Sequence, residues 1–412
     1  MDSRLCLLCR GTKHLCGKPY CPILARTAAL AKIRPVVSSG KLELFGSTPP
    51  SIFVGRTGYP TVFAGPATPP ERGDTSIYDF PEKWLGLDID RILAMRLSMV
   101  LGRERVDVRR VDDRYVRALQ ELAISSRPVD VELLLAKPPR PMVSFSEYEP
   151  PLGPRAPIRG VRVVGNASAP RIVERLYSDE DALAETAVVE LYRAGIPVTY
   201  IQRLLSVGAL GKRGNRRLVP TRWSITAVDD IVSRHLIGLL KSFPEIDTVQ
   251  LFYRVYARNL FIAILVPGKW SFEWMEAWFP GSTWNRWGKE VAVEGDYELY
   301  MGRRDYASIG GCYYATRLAV AEYLYSIGRQ ATAIVFREAY PGFDIPIGVW
   351  FVRENIRAMF RSRPIKLSSL EEALRIVDRL TVLGARRWVE ESRLLKMLLR
   401  TRRIDEYAVG RS

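Results

Sequence analysis

The chain has 412 residues and a mass of 46.7 kDa, enough for two or three domains with real cores. Hydrophobic residues make up 47% and charged residues 26%, a balance that excludes wholesale disorder. No apolar run approaches the ~18–20 residues of a membrane span. The start, MDSRLCLLCRG, lacks the apolar core of a signal peptide, so a cytoplasmic protein is expected. The net charge is +16 and the pI is near 9.7. A chain this basic is drawn to polyanions, nucleic acid first. Of the 61 basic residues 49 are Arg, whose forked guanidinium suits phosphate. Heat adaptation explains arginine richness equally well, and only nine residues are the heat-labile Asn or Gln.

The chain opens on a cysteine-rich head. Cys6, Cys9, Cys16 and Cys21 follow the spacing C-x2-C, six residues, C-x4-C. Clustered cysteines in a cytosolic chain point to metal rather than disulfides. Two thiolates from one tight turn grip two corners of a zinc tetrahedron, and Gly11 and Gly17 let the backbone fold around them. Four sulfurs close the shell, which predicts one structural Zn2+ per chain. His14 is the rival fourth ligand. Cys312 stands alone and is expected in the core.

Residues 25–136 carry Gly and Pro turns such as GRTGYP (55–60) and GPATPP (65–70). Residues 137–157 hold seven prolines in 21, which excludes a helix and argues against a central strand. An extended crossing is expected there. GVRVVGN (160–166) reads as a strand. Residues 178–194 read as a helix capped by Ser178 and ended before Gly195. A second helix is expected from Thr226 to Phe243, with Thr226 and Asp229 at capping-box spacing. TVQLFYRVYA (248–257) and NLFIAILVP (259–267) predict a hairpin. Residues 312–327 are helical and end at Gly328. RQATAIVFRE (329–338) and PIGVWFV (346–352) read as strands, and ENIRAMFRSR as a helix. Ser369 and Glu372 box the start of a last helix running to Leu380. Helices, strands and a hairpin without a strict βαβ rhythm give the α+β class.

The stretch RLLSVGALGKRGNRRLVPTRWSIT (203–226) concentrates charge. Arg203, Lys212, Arg213, Arg216, Arg217 and Arg222 occur there with no acid. Glycines at 208, 211 and 214 let a loop approach a phosphate chain. Trp223 is placed to stack on a base, and a helix start at Thr226 offers N–H groups to an anion. Nucleic-acid contact is the reading, with a solvated basic loop as the alternative. Residues 270–287 hold five of the nine tryptophans, expected mostly in the core with one or two exposed. Asp229, Asp230, Glu338, Asp344 and Glu354 lie near basic residues and are expected in structural ion pairs. Their convergence beside Arg217, Arg222 and Trp223 would instead make a nucleic-acid- or nucleotide-processing enzyme. With only His14 and His235 present, a histidine-centred mechanism is not expected. Charge alone does not separate DNA from RNA, so an RNA-binding or RNA-processing protein is a further alternative.

Taken together, CLLCRGTKHLCGKPYCP, VGRTGYPTVFAGP, RLLSVGALG, RRLVPTRWSITAVDD, WSFEWMEAWFP, YMGRRDYASIGGCYYATRLAV and IPIGVWFVREN resemble the archaeal Nre family of DNA repair proteins. The resemblance runs from residue 6 to about residue 355. It implies zinc at Cys6, Cys9, Cys16 and Cys21, DNA as partner and a role in the DNA damage response. It gives a process and supplies no agreed catalytic activity. It suggests a zinc element at 1–24, an N-terminal domain at 25–275, a C-terminal domain at 276–392 and a basic tail at 393–412. Family members typically end in a short box that binds the DNA sliding clamp. Its slots here hold Thr401, Ile404, Tyr407 and Ala408, of which the aliphatic and first aromatic fit and the Gln and second aromatic do not.

Overall fold

The computed structural model describes residues 3–17, 21, 23–24, 42–140 and 143–400. The chain divides into two compact units, one of residues 24–235 and 346–354, the other of residues 1–23, 236–345 and 355–412. We call them the N-unit and the C-unit. Each is α+β, and each contains a six-stranded mixed sheet among the described residues. None of the described helices is long and apolar enough to cross a membrane.

The N-unit sheet consists of β1 (Glu43–Thr48), β2 (Ile52–Val54), β3 (Thr61–Thr68), β4 (Val100–Asp107), β5 (Val129–Leu135) and β6 (Arg155–Val163), in the order β1-β5-β6-β4-β3-β2. Only β4 and β6 pair in parallel. The Pro-rich segment differs from its expectation. Pro157 lies inside the central strand β6, at the point where pairing passes from β4 (Arg103↔Pro157) to β5 (Ile158↔Leu135), beside a register shift. A residue with no N–H is tolerated there because the ladder is already interrupted. Ala67, Met99, Leu101 and Leu152 form a buried cluster beneath this sheet.

Its described helices are α2 (Ile89–Ser98), α3 (Arg114–Ile124), α4 (Arg171–Ser178), α5 (Ala184–Arg193), α6 (Val198–Ser206) and the greater part of α7 (Thr221–Leu240). The expected helix over 178–194 is two helices. Ser178 ends α4, and α5 starts only at Ala184 because the Asp179 carboxylate takes the N–H groups of Asp181 and Ala182 into a turn. The expected start at Thr226 is also corrected. The helix begins at Thr221 behind Pro220, so Thr226 is buried one turn inside it and caps nothing. Pro lacks the donor that a helix start leaves idle anyway.

The C-unit sheet holds β7 (Val249–Tyr256), β8 (Asn259–Val266), β9 (Ser271–Trp278), β10 (Ala292–Glu298), β11 (Thr332–Ala339) and β12 (Ile365–Leu367), in the order β10-β9-β11-β8-β7-β12. The predicted hairpin β7–β8 is present, closed at Tyr256↔Asn259 by Ala257 and Arg258, both at positive φ. That conformation matches the strand twist. α8 (Gly311–Ser326) ends before Gly328 as expected. PIGVWFV, which belongs to the N-unit, is not a strand. Gly348 turns the chain at φ 99°, and α9 (Trp350–Phe360) begins two residues later. The Trp350 ring is buried edge-on to Trp84 at 4.9 Å, packing that an extended segment would not provide.

α10 (Leu370–Leu380) starts as predicted: the Ser369 hydroxyl accepts the Glu372 N–H. The Glu372 carboxylate reaches one residue further back, to the N–H and hydroxyl of Ser368. α11 (Ala385–Glu391) and α12 (Arg393–Arg400) follow. Leu251, Ile262, Ile264, Phe336, Val377 and Trp388 belong to the core these helices close.

The head, with α1 (Ser3–Cys9), docks on this sheet through one buried ion network. Arg10 Nη2 donates to Glu276 Oε2 at 2.6 Å, and Arg337 Nη1 donates to Glu276 Oε1 at 3.0 Å. Burial alone would raise the Glu276 carboxyl, but Arg10 and Arg337 outweigh it and hold the group below its ordinary range. A lowered folded value contributes stability above the ordinary carboxyl range, and this is lost as pH falls through the folded value. Glu276→Gln leaves two buried guanidiniums short of their counter-charge. It is expected to cost about 3–5 kcal/mol in urea unfolding at neutral pH. A loss below about 1 kcal/mol, the worth of an ordinary exposed pair, would show that the network is not what fastens the head.

Candidate nucleic-acid interface

The predicted basic stretch divides by the company its residues keep. Arg203 Nε and Nη2 donate to the carbonyls of Ala123 and Ser125. Arg216 donates to the carbonyls of Gly211, Tyr177 and Asp179, so it staples its own loop. Arg213 is exposed and pairs with Glu180 at 3.0 Å. Lys212 and Arg217 are exposed, and Arg217 makes one long bond to the Asn215 carbonyl, 3.4 Å. Arg222 and Trp223 occupy the first turn of α7.

Around that first turn the N-unit gathers charge from elements distant in sequence. The Arg222 guanidinium lies 3.7 Å over the Tyr148 ring. Trp223 and Tyr59 are 45% and 44% exposed, with ring centroids 5.4 Å apart. On β3 and β4, Phe63 and Arg105 are register partners and share a face. Phe63 is exposed, with Arg103 4.6 Å and Arg105 5.8 Å from its centroid. Burial and then the positive charge of Arg222 hold Arg56 below its ordinary range. Burial and then Arg103 do the same to Arg155. Glu149 is the acid that opposes both shifts. The Arg155 Nε is buried with no acceptor among the described residues.

Arginines that repel one another while facing water-accessible aromatic rings suit an alternating polyanion with flat bases. Sequence reasoning placed Arg222 and Trp223 here and missed Arg56, Tyr59, Phe63, Arg103 and Arg155. Strand alternation held a signal: Val62 and Ala64 point inward on β3, so the aromatic between them is turned out.

The carboxylates do not converge on this face. Both Asp229 oxygens accept from Arg353 Nη1 at 3.1 Å, fully buried, and Gln202 donates to one of them. Glu354 accepts from Arg353 Nε, and Asp230 from Arg234. Asp344 meets Arg286. Glu338 accepts the Tyr340 hydroxyl and the N–H groups of Val382 and Leu383. Asp229, Asp230, Asp344 and Glu354 are in ion pairs as expected, whereas Glu338 is held by neutral donors. Trp270, Trp274, Trp278 and Trp284 are buried, and Trp287 is 44% exposed. Cys312 is buried. His235 is half-buried in α7, and burial followed by the charge of Arg193 lowers its pKa.

The donor set of the head is compatible with zinc. None of its four cysteines forms a disulfide. Left-handed residues shape both turns, Arg10 (φ 48°) with Gly11 (φ 68°) and Gly17 (φ 71°). Burial raises the Cys9 thiol, but the N–H groups of Leu15, Lys13, Thr12 and Gly11 outweigh it and leave it below its ordinary range. Backbone donors converging on one sulfur favour a thiolate. Burial, then the charges of Cys21, Cys9 and Cys16, push the Cys6 thiol up to about 11. No three of these sulfurs lie within 4.8 Å of one another. Cysteine sulfur is a donor that zinc accepts, but the four sulfurs are not gathered into one site. The tail slots Thr401, Ile404, Tyr407 and Ala408 lie outside the described residues.

Two family descriptions match the chain, "Archaeal Nre, N-terminal" over residues 15–285 and "Archaeal Nre, C-terminal" over residues 298–407. The chain is 48% identical to DNA repair protein NreB of Archaeoglobus fulgidus over 391 residues, 95% of this chain and 97% of that protein. It is 37% identical to DNA repair protein NreA of the same organism over 92% of this chain and 94% of that protein. It is 38% identical to DNA repair protein NreA of Haloferax volcanii, over 81% and 82% of the two chains. No solved structure matches. The chain belongs to the archaeal Nre family.

Proposed function

We propose that the protein is a cytoplasmic DNA repair factor that binds nucleic acid on the arginine–aromatic face of the N-unit. The relatives named as DNA repair proteins support the process. One observation carries the site: Arg56, Arg103, Arg155 and Arg222 stand together, opposed by Glu149, beside exposed Tyr59, Phe63 and Trp223. The guanidiniums take backbone phosphates, and the rings take bases. A stacking platform favours single-stranded or unpaired DNA over intact duplex. Lys212 and Arg217 extend the phosphate track, while Arg203, Arg213 and Arg216 support it through their internal bonds.

Fluorescence anisotropy with single-stranded DNA across a salt series tests this. Replacing Arg56, Arg103 and Arg222 together with Ala should reduce the log–log salt slope by about 2, near 0.7 for each phosphate no longer neutralised. A Tyr59→Ala, Trp223→Ala pair should weaken binding by about 1–3 kcal/mol per stacked base and leave the slope unchanged. An unaltered slope in the folded triple variant rejects the face.

The head completes the reading as a structural zinc element, held by Cys6, Cys9, Cys16 and Cys21. The cation would relieve the repulsion around Cys6 and fix the turn that carries Arg10. Metal analysis of the full chain should give about one zinc, as a single four-ligand site requires. A Cys9→Ser, Cys16→Ser variant that kept its zinc would remove this assignment.

Recruitment to the sliding clamp is placed on the tail, with Ile404 and Tyr407 as apolar anchors. Few residues carry most of the energy of such an interface, so Ile404→Ala with Tyr407→Ala should abolish co-elution with the cognate clamp. Co-elution undiminished by that change rejects the role.

A further inference from the structure

The N-unit contains a cleft of about 630 Å³ lined by none of the exposed arginines and rings of the arginine–aromatic face. That is the size of a small-molecule site. Arg203, from the predicted basic stretch, lines it. Its guanidinium is pinned by the carbonyls of Ala123 and Ser125 and lies 4.3 Å over the Tyr200 ring. Lys83 and Arg127 are exposed on the same wall.

The acids of the cleft are already engaged. Asp79 accepts from buried Arg96 at 2.6 Å, and Asp74 accepts the N–H of Ser76 at 3.0 Å. Lys83, Arg127 and Arg203 give the space three cations, with Asp74 opposing Lys83, and Asp79 and Glu82 opposing Arg203. Two wall residues, Pro170 and Pro197, are the N-cap positions of α4 and α6. The Thr199 N–H in the first turn of α6 already donates to Glu82 Oε1 at 3.0 Å, so the start of α4 is the one that adds positive potential. Phe80 and the prolines Pro49, Pro50 and Pro128 give the lining an apolar part, beside the hydroxyls of Ser76, Ser126 and Thr199. An inorganic anion would use the cations and leave this surface and most of the volume idle.

We propose that this cleft binds a nucleoside monophosphate, with the phosphate on Arg203, Lys83 and Arg127 and the base against Phe80 and the prolines. The same chemistry is presented by a free nucleotide and by the phosphorylated terminal nucleotide of a strand. The second source would let the protein recognise a strand end.

Equilibrium dialysis of the full chain with dAMP tests the site. Saturable dAMP binding at least about tenfold tighter than that of inorganic phosphate is expected. A Lys83→Ala, Arg127→Ala variant removes two exposed side chains and should weaken it about tenfold or more, the loss of one charge-assisted bond or better. An Arg222→Ala, Trp223→Ala variant should bind dAMP as the native chain does, so failure here and failure of the DNA-binding face are told apart. Competition by a 5′-phosphorylated oligonucleotide, and not by its unphosphorylated form, assigns the strand end as a source. Saturable dAMP binding without such competition assigns the free nucleotide. No saturable dAMP binding, equal binding of inorganic phosphate, or binding unchanged in the Lys83, Arg127 variant overturns the proposal.

Discussion

A carboxylate with no exposure, Glu276, governs how the head is built into the C-unit. Removing such a group from water costs several kcal/mol unless strong partners replace the lost hydration. Glu276 obtains two guanidiniums, one from the turn after Cys9 and one from β11. Arg337 is itself ordered by Asn259 through Nε at 2.8 Å and lies 4.8 Å from the Trp278 ring. The arrangement commits the sequence at distant points. Arg10 must adopt a left-handed backbone, which costs an ordinary residue about 1–2 kcal/mol. Its guanidinium also donates to the Leu7 carbonyl at 2.6 Å, so one side chain closes the knuckle turn and fastens it to the sheet. The cysteine turn and the docking contact therefore meet at consecutive residues, Cys9 and Arg10.

The same principle changes what the net charge of +16 means. Many arginines are internal. Arg96, Arg317, Arg337 and Arg353 are buried, and each is answered by a carboxylate. Arginine abundance by itself thus identifies no binding surface. What distinguishes the face around Arg222 is that like charges are held close, Arg222 to Arg56 and Arg103 to Arg155, beside exposed aromatic rings. The inference to phosphate rests on that crowding.

Local chemistry was legible in the sequence where it acts alone. The β7–β8 hairpin, the Ser369 cap and the Gly328 stop depend on a few adjacent residues, and each lies where the pattern placed it. Elements settled by distant partners were not legible. PIGVWFV has the composition of a strand, yet Gly348 and the Trp84 ring send it into a turn and a helix. The helix at Thr221 begins early because Pro220 is a better start than the Thr226 box. Pro157 sits within a sheet because β6 changes partners there. The interface was half visible for the same reason. Arg222 and Trp223 announce themselves in a basic run, whereas Phe63 and Arg105 become neighbours only through the β3–β4 register.

The face also bears on stability. Like charges held close are unfavourable in the folded state, and here burial adds to the repulsion at Arg56 and Arg155. Packing elsewhere in the N-unit sustains them. One contribution is the buried Asp229–Arg353 pair, which joins the N-unit portions of α7 and α9, the former beginning with Arg222. A polyanion lying on the face would neutralise that strain in the bound state alone. On the proposed function, the arginines would be positioned before a strand arrives. A single loop of flexible, solvated arginines would have to order those side chains on binding, at an entropy cost for each. Placement on β4, β6 and the start of α7 lowers that cost for Arg103, Arg155 and Arg222, because the sheet register and the helix start already fix where those guanidiniums emerge.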